Sequence, residues 1–148
     1  MRDDEFLKQR LDAMWEFLFP DVKKANIVVI RFKGKWRNKF GHIKRLNNGD
    51  SEIVINSHFK NEKIPEYIID TTIAHELVHY MHGFNSSLPR MHKHPHKGGI
   101  VNKELKKRGF GNMISLERKW VRNEWRNIVK EEYKQPVKQE KSRFFKWF

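Results

Sequence analysis

The chain has 148 residues, of which 38% are apolar and 33% charged, with no cysteine and a net charge of +13. This length supports one domain with a real core but not two, and the composition excludes disulfides, a thiol nucleophile and any apolar run of about 18 residues able to span a membrane. The charge exceeds what solubility needs and leads to the expectation of a polyanionic partner.

The start, Met1-Arg2-Asp3-Asp4-Glu5, lacks the basic-then-apolar layout of a secretory leader, so a cytoplasmic location is expected, within which nucleoid association is an option. Asp3 or Asp4 can cap a first helix running to about Phe19. Its apolar residues Phe6, Leu7, Leu11, Met14, Trp15, Leu18 and Phe19 recur at helical spacing, and Pro20 ends it. Ile27 to Phe32 is rich in β-branched residues and reads as a strand. Lys35 to Leu46 is a weaker strand interrupted by Gly41. Asn47-Asn48-Gly49-Asp50 signals a hairpin turn, and Ser51 to Asn56 is the returning strand. The edge of such a hairpin can align an extended peptide by strand addition.

Between Arg31 and Arg45 the cations Arg31, Lys33, Lys35, Arg37, Lys39, Lys44 and Arg45 interleave with Phe32, Trp36, Phe40 and His42. Cations pair with phosphates and aromatic rings stack on unpaired bases, so Arg31, Lys33, Lys35, Trp36, Arg37, Lys39, Lys44 and Arg45 form a candidate nucleic-acid contact. An exposed strand pair with a basic outer face would show the same pattern. Two further basic regions run from Arg90 to Arg108 and from Arg118 to the C-terminus.

Ile64 to Gly83 reads as a helix, with Pro65 in its first turn and Gly83 at its C-terminal cap. Ile73, Ala74, Leu77, Val78, Tyr80 and Met81 form an apolar arc for the core. Thr72, His75, His79 and His82 gather on the opposite side. Within it lies His75-Glu76-Leu77-Val78-His79. Residues four apart sit one turn apart on one face, so both imidazoles can reach one cation. Glu76 lies about 100° round the helix, placed to act on a water as a general base rather than as a ligand. Chance also produces this pattern, so the surroundings decide.

Zinc on two histidines needs a third protein ligand and a fourth position for water. A histidine six residues after His79 would suit, but that residue is Asn85. Glu104 and Glu117 are acidic candidates, and His92, His94 and His96 are candidates in the loop Arg90 to Ile100, which leads into a helix over Val101 to Arg108. His82 either lines the cleft or caps the helix end. Ser115 to about Tyr133 forms a last helix, with Leu116, Trp120, Val121, Trp125, Ile128 and Val129 inward and Arg118, Lys119, Arg122, Arg126 and Lys130 outward. Pro136 marks a linker into a basic tail, and its terminal aromatics Phe144, Phe145, Trp147 and Phe148 suggest a partner-binding segment.

The chain resembles the SprT-like zinc metallopeptidases, a family of Spartan-like proteases, over roughly residues 26 to 109. The resemblance rests on a β segment, Glu52-Ile53-Val54-Ile55-Asn56, a short loop with Pro65, the His-Glu-Leu-Val-His helix and a later histidine before another helix. His96-Lys97-Gly98-Gly99-Ile100 fills that last slot, with Lys97 where the family usually has Gly and Gly98 one residue late. The four-cysteine zinc ribbon of many members is absent. Phe144-Phe145 in its basic setting resembles the sliding-clamp-binding peptides of such proteins, although Lys141 stands at the aliphatic position.

The resemblance implies an α+β, zincin-like domain over residues 1–133, with a short antiparallel sheet packed on the active-site helix, flanking helices, and a tail over 134–148. It implies Zn2+ on His75, His79 and His96, Glu76 as catalytic base, and a metalloendopeptidase acting on DNA-bound or DNA-crosslinked proteins, with single-stranded or junction DNA as partner. The alternatives are a zinc peptidase indifferent to DNA and a non-enzymatic DNA-binding protein with a structural zinc.

Overall fold

A computed structural model describes residues 1–132. The first helix, α1 (Asp4–Leu18), is capped by the Asp3 side chain, which accepts the Phe6 amide, and buries Leu7, Leu11, Met14, Trp15 and Leu18. Strands β1 (Val28–Phe32), β2 (Gly41–Arg45) and β3 (Ser51–Ile55) follow, then the metal-motif helix α2 (Glu66–Met81). Beyond it lie α3 (Ile100–Lys107) and α4 (Gly111–Trp120). A π-helical segment, Val121–Trp125, joins α4 to α5 (Arg126–Glu132). The architecture is α+β. No helix among the described residues is long and apolar enough to cross a membrane.

The sheet is mixed, which corrects the expectation of an antiparallel one. Its order is β1-β3-β2, with β2 antiparallel to β3 and β1 parallel to it. The hairpin turn fixes the antiparallel pair, whereas β1 docks on the other side of β3, supported by α1. The expected strand over Lys35 to Leu46 begins only at Gly41. Carbonyls earlier in that segment are taken by a side chain instead: Asn56 Nδ2 donates to Trp36 at 2.7 Å and Lys39 at 2.8 Å. Gly41 is required where it stands, because a Cβ there would lie 2.6 Å from the Val54 carbonyl and 3.0 Å from Thr72 Cγ2.

Register assigns the two faces of the sheet. Ile30, Ile53 and Ile43 lie across one row, Phe32, Ile55 and Gly41 across another, and these rows face α2 and the core. Val29, Glu52 and Lys44, with Arg31, Val54 and His42, occupy the outer face.

Helix α2 is not amphipathic as expected. Thr71 through Tyr80 are all buried, histidines included, because the chain after the helix folds back over its polar side. The last helix also differs: it begins at Gly111, and Leu116 is 47% exposed while Ile114 and Glu117 are buried. The π segment lets Trp120 and Trp125, five apart, both face the core. The outward row of Arg118, Lys119, Arg122, Arg126 and Lys130 is exposed as expected. The end of that helix at Tyr133 and the aromatic tail fall outside the described residues.

Candidate metal centre

Helix α2 carries His75 and His79 one turn apart and buries both. The third histidine depends on how the following chain returns. Gly83 makes the turn with φ +80°, and a Cβ there would lie 2.3 Å from the Pro89 carbonyl oxygen. The Phe84 amide donates to the His79 carbonyl at 2.9 Å, and the Met91 amide to the His82 carbonyl at 2.9 Å. The Arg90 guanidinium covers the Phe84 ring at 4.7 Å. Gly98 and Gly99, both at positive φ, then turn the chain into α3, which Val101 and Leu105 anchor in the core.

These contacts bring His96 opposite the helix. His79 Nε2 lies 3.0 Å from His75 Nε2 and 3.0 Å from His96 Nε2. One nitrogen from each ring lies within 4.8 Å of the others, close enough to hold a single metal ion. His75 and His79 are buried and His96 is exposed. Burial, then its histidine neighbours, holds His75 well below the usual imidazole range. The same causes hold His79 at about 3, and burial lowers His96. All three are therefore neutral at pH 7, the protonation state in which imidazole ligates a metal.

The donor set suits a transition metal, and the neighbouring carboxylate suits a metal-dependent reaction. Glu76 is fully buried, and neither carboxylate oxygen has a hydrogen-bond partner among the described residues. A buried carboxylate without a partner is costly, and a polar group at the metal would relieve that cost. Burial pushes Glu76 well above the ordinary carboxylate range, and the positive charge of Lys39 acts in the opposite direction. Lys39 itself sits with Nζ 4.0 Å from the Trp36 ring centre, on the segment that Asn56 holds.

The other candidate ligands go elsewhere. His92 packs its ring 4.5 Å from that of His82, which caps the C-terminus of α2 and is buried. His94 is exposed and outside the cluster. Glu104 pairs with Arg108 at 3.5 Å. Glu117 is buried, and burial pushes it up to about 7 against the opposing effect of Thr71.

The candidate nucleic-acid residues divide into groups. Arg31, Lys33 and Lys44 converge on Glu52, a buried carboxylate absent from the sequence-derived set. Trp36 and Lys39 pair with each other, the ammonium lying over the indole ring. Arg45 turns away, donating to the Ser86 carbonyl at 2.6 Å and to Ser87 Oγ at 2.7 Å. The Arg37 carbonyl accepts the Trp125 indole N–H at 2.7 Å, and Lys35 is exposed. The role of Glu52 had only a weak signal: an acidic residue within a strand flanked in sequence by cation-rich segments.

Comparison of the chain with protein-family models, curated proteins and solved structures finds no match.

Proposed function

We propose that the protein is a zinc-dependent metalloendopeptidase of the SprT-like kind, associated with DNA and acting on proteins bound or crosslinked to it. The observation that carries the reading is the convergence of His75, His79 and His96 beside the buried, unpartnered carboxylate of Glu76. Three neutral imidazoles are the ligand set of a hydrolytic zinc site, which leaves a position for water.

His75, His79 and His96 would hold the ion, and zinc bound there would supply Lewis acidity, lowering the pKa of its water to about 7. Ionised under the positive charge of Lys39 and of a bound cation, Glu76 would accept the proton of the attacking water and pass it to the leaving amine. Its burial keeps bulk water from competing for that proton. Leu77 and Val78, both buried, fix the rotation of α2 so that the histidines and Glu76 keep their places. β2 is the edge strand beside α2, and on that edge the Asn85 side chain already occupies the Ile43 carbonyl at 3.2 Å. The excess of basic side chains supports the nucleic-acid part of the reading.

The test is cleavage of a DNA-binding protein, and of the enzyme itself, with and without single-stranded DNA. Glu76→Gln serves as the blank. DNA-stimulated cleavage absent from that variant is expected. Equal cleavage without DNA would leave a zinc peptidase indifferent to DNA, and zinc binding with no cleavage would favour a structural metal.

A further inference from the structure

The outer face of the sheet, away from α2, holds a second organised cluster. Glu52 is 1% exposed, yet three cations reach its carboxylate: Arg31 Nε at 2.8 Å, Lys33 Nζ at 3.1 Å and Lys44 Nζ at 3.3 Å. They come from β1, from the residue following β1, and from β2, so the sheet itself gathers them around the central strand. Among the described residues one carboxylate meets three cations, a local excess of two positive charges. The cation side chains remain 44%, 46% and 48% exposed, so each covers Glu52 while still reaching solvent.

A stabilising ion pair needs only one cation. Three on one buried carboxylate make a fixed, compact, doubly positive patch, whose like charges repel unless an anion joins them. Arg31 engages Glu52 through Nε, so its planar fork can still offer terminal N–H groups to an oxyanion. The Trp36 ring lies 5.6 Å from that of His42, which is on the same outer face two residues from Lys44 in β2. Burial, then Lys39 and Lys44, holds His42 at about 4, so it adds no charge at neutral pH.

We propose that this face is a phosphate-binding site, in which Arg31, Lys33 and Lys44, gathered by Glu52, take a phosphate group while Trp36 supplies an adjoining stacking surface. This deepens the nucleic-acid part of the function proposed above and does not depend on the peptidase part. Because α2 packs on the opposite face, the phosphate would be held without contacting the metal ligands. The same chemistry accommodates a backbone phosphate of an unpaired strand or free phosphate.

The full chain, titrated against a fluorescent oligothymidylate over a range of salt, tests the site. Arg31→Gln, Lys33→Gln and Lys44→Gln are compared with Lys119→Gln and Arg122→Gln on the exposed row of the last helix. Each cluster variant is expected to weaken binding about fivefold and to lower the slope of log K against log salt by about 1. The two control variants are expected to change affinity less than about twofold. Each cluster variant retains two cations on Glu52, and an unchanged thermal melt confirms that it folds. Displacement of the oligonucleotide by inorganic phosphate, beyond that caused by chloride at equal ionic strength, would mark free phosphate as a ligand. Cluster-dependent binding without such displacement would mark the strand. Equal losses in cluster and control variants, or no binding of either probe, would overturn the site. The readout is binding alone, so it stands whether or not any peptide bond is cut.

Discussion

Glu117 gives the most quantitative prediction. It sits on α4 against α2, 7% exposed, and burial pushes its carboxyl up to about 7 from an ordinary 4.5, with Thr71 and Arg118 acting in the opposite direction. An acid whose pKa is higher folded than unfolded binds its proton more tightly in the folded state. Its contribution is therefore favourable at low pH and is lost as pH rises from about 4.5 through about 7. The full difference corresponds to about 3 kcal/mol, most of it accruing between about pH 5 and pH 8. Glu117→Gln mimics the protonated acid, so the variant should gain about 2–3 kcal/mol over the parent at pH 8 and less than about 1 at pH 5. Urea unfolding of both proteins across that range measures it. His42 and His79, held at about 4 and about 3, make both proteins lose stability as pH falls, and the subtraction removes this shared trend. A stability difference that does not grow with pH would mean that the Glu117 carboxyl is not raised in the folded protein.

Three further outcomes are expected. Gly83→Ala should cost at least about 2 kcal/mol in thermal or urea unfolding, because φ there is +80° and the new Cβ meets the Pro89 carbonyl at 2.3 Å; its zinc affinity should fall too, since Gly83 starts the loop that delivers His96. Asn56→Ala removes donors to the Trp36 and Lys39 carbonyls and the acceptor of the His58 amide, and should cost about 3 kcal/mol at about 1 per hydrogen bond; a loss below 1 in urea unfolding would argue against that anchoring. His96→Ala should bind zinc far more weakly while His94→Ala binds it normally, by titration against a chromogenic chelator; similar behaviour of the two would contradict the ligand assignment.

What could be read from the sequence was mostly local. Asp3 and Pro20 bound α1, Asn47 to Asp50 make the hairpin, and Pro65 and Gly83 bracket α2, because each acts on its own turn of backbone. The pair His75 and His79 follows from helical spacing alone. His96 does not: its position depends on Gly83, Phe84, Arg90 and the Gly98-Gly99 turn acting together, and on sequence grounds it entered through the family resemblance. The parallel pairing of β1 with β3 joins segments more than twenty residues apart and leaves no local mark. Leu116 lies off the inner face because the π segment shifts the helix phase between it and Trp125, and Glu117 takes the inner position. Glu52 reads as an outward-facing charge; burial came from the cations that cover it.

X-ray absorption at the zinc edge of the zinc-loaded protein reads the ligand shell itself. Three imidazoles, from His75, His79 and His96, with an oxygen donor completing the shell, are expected, with imidazole scattering lost in His96→Ala. A shell of four imidazoles, or one that His96→Ala leaves unchanged, would contradict a catalytic centre built on these residues.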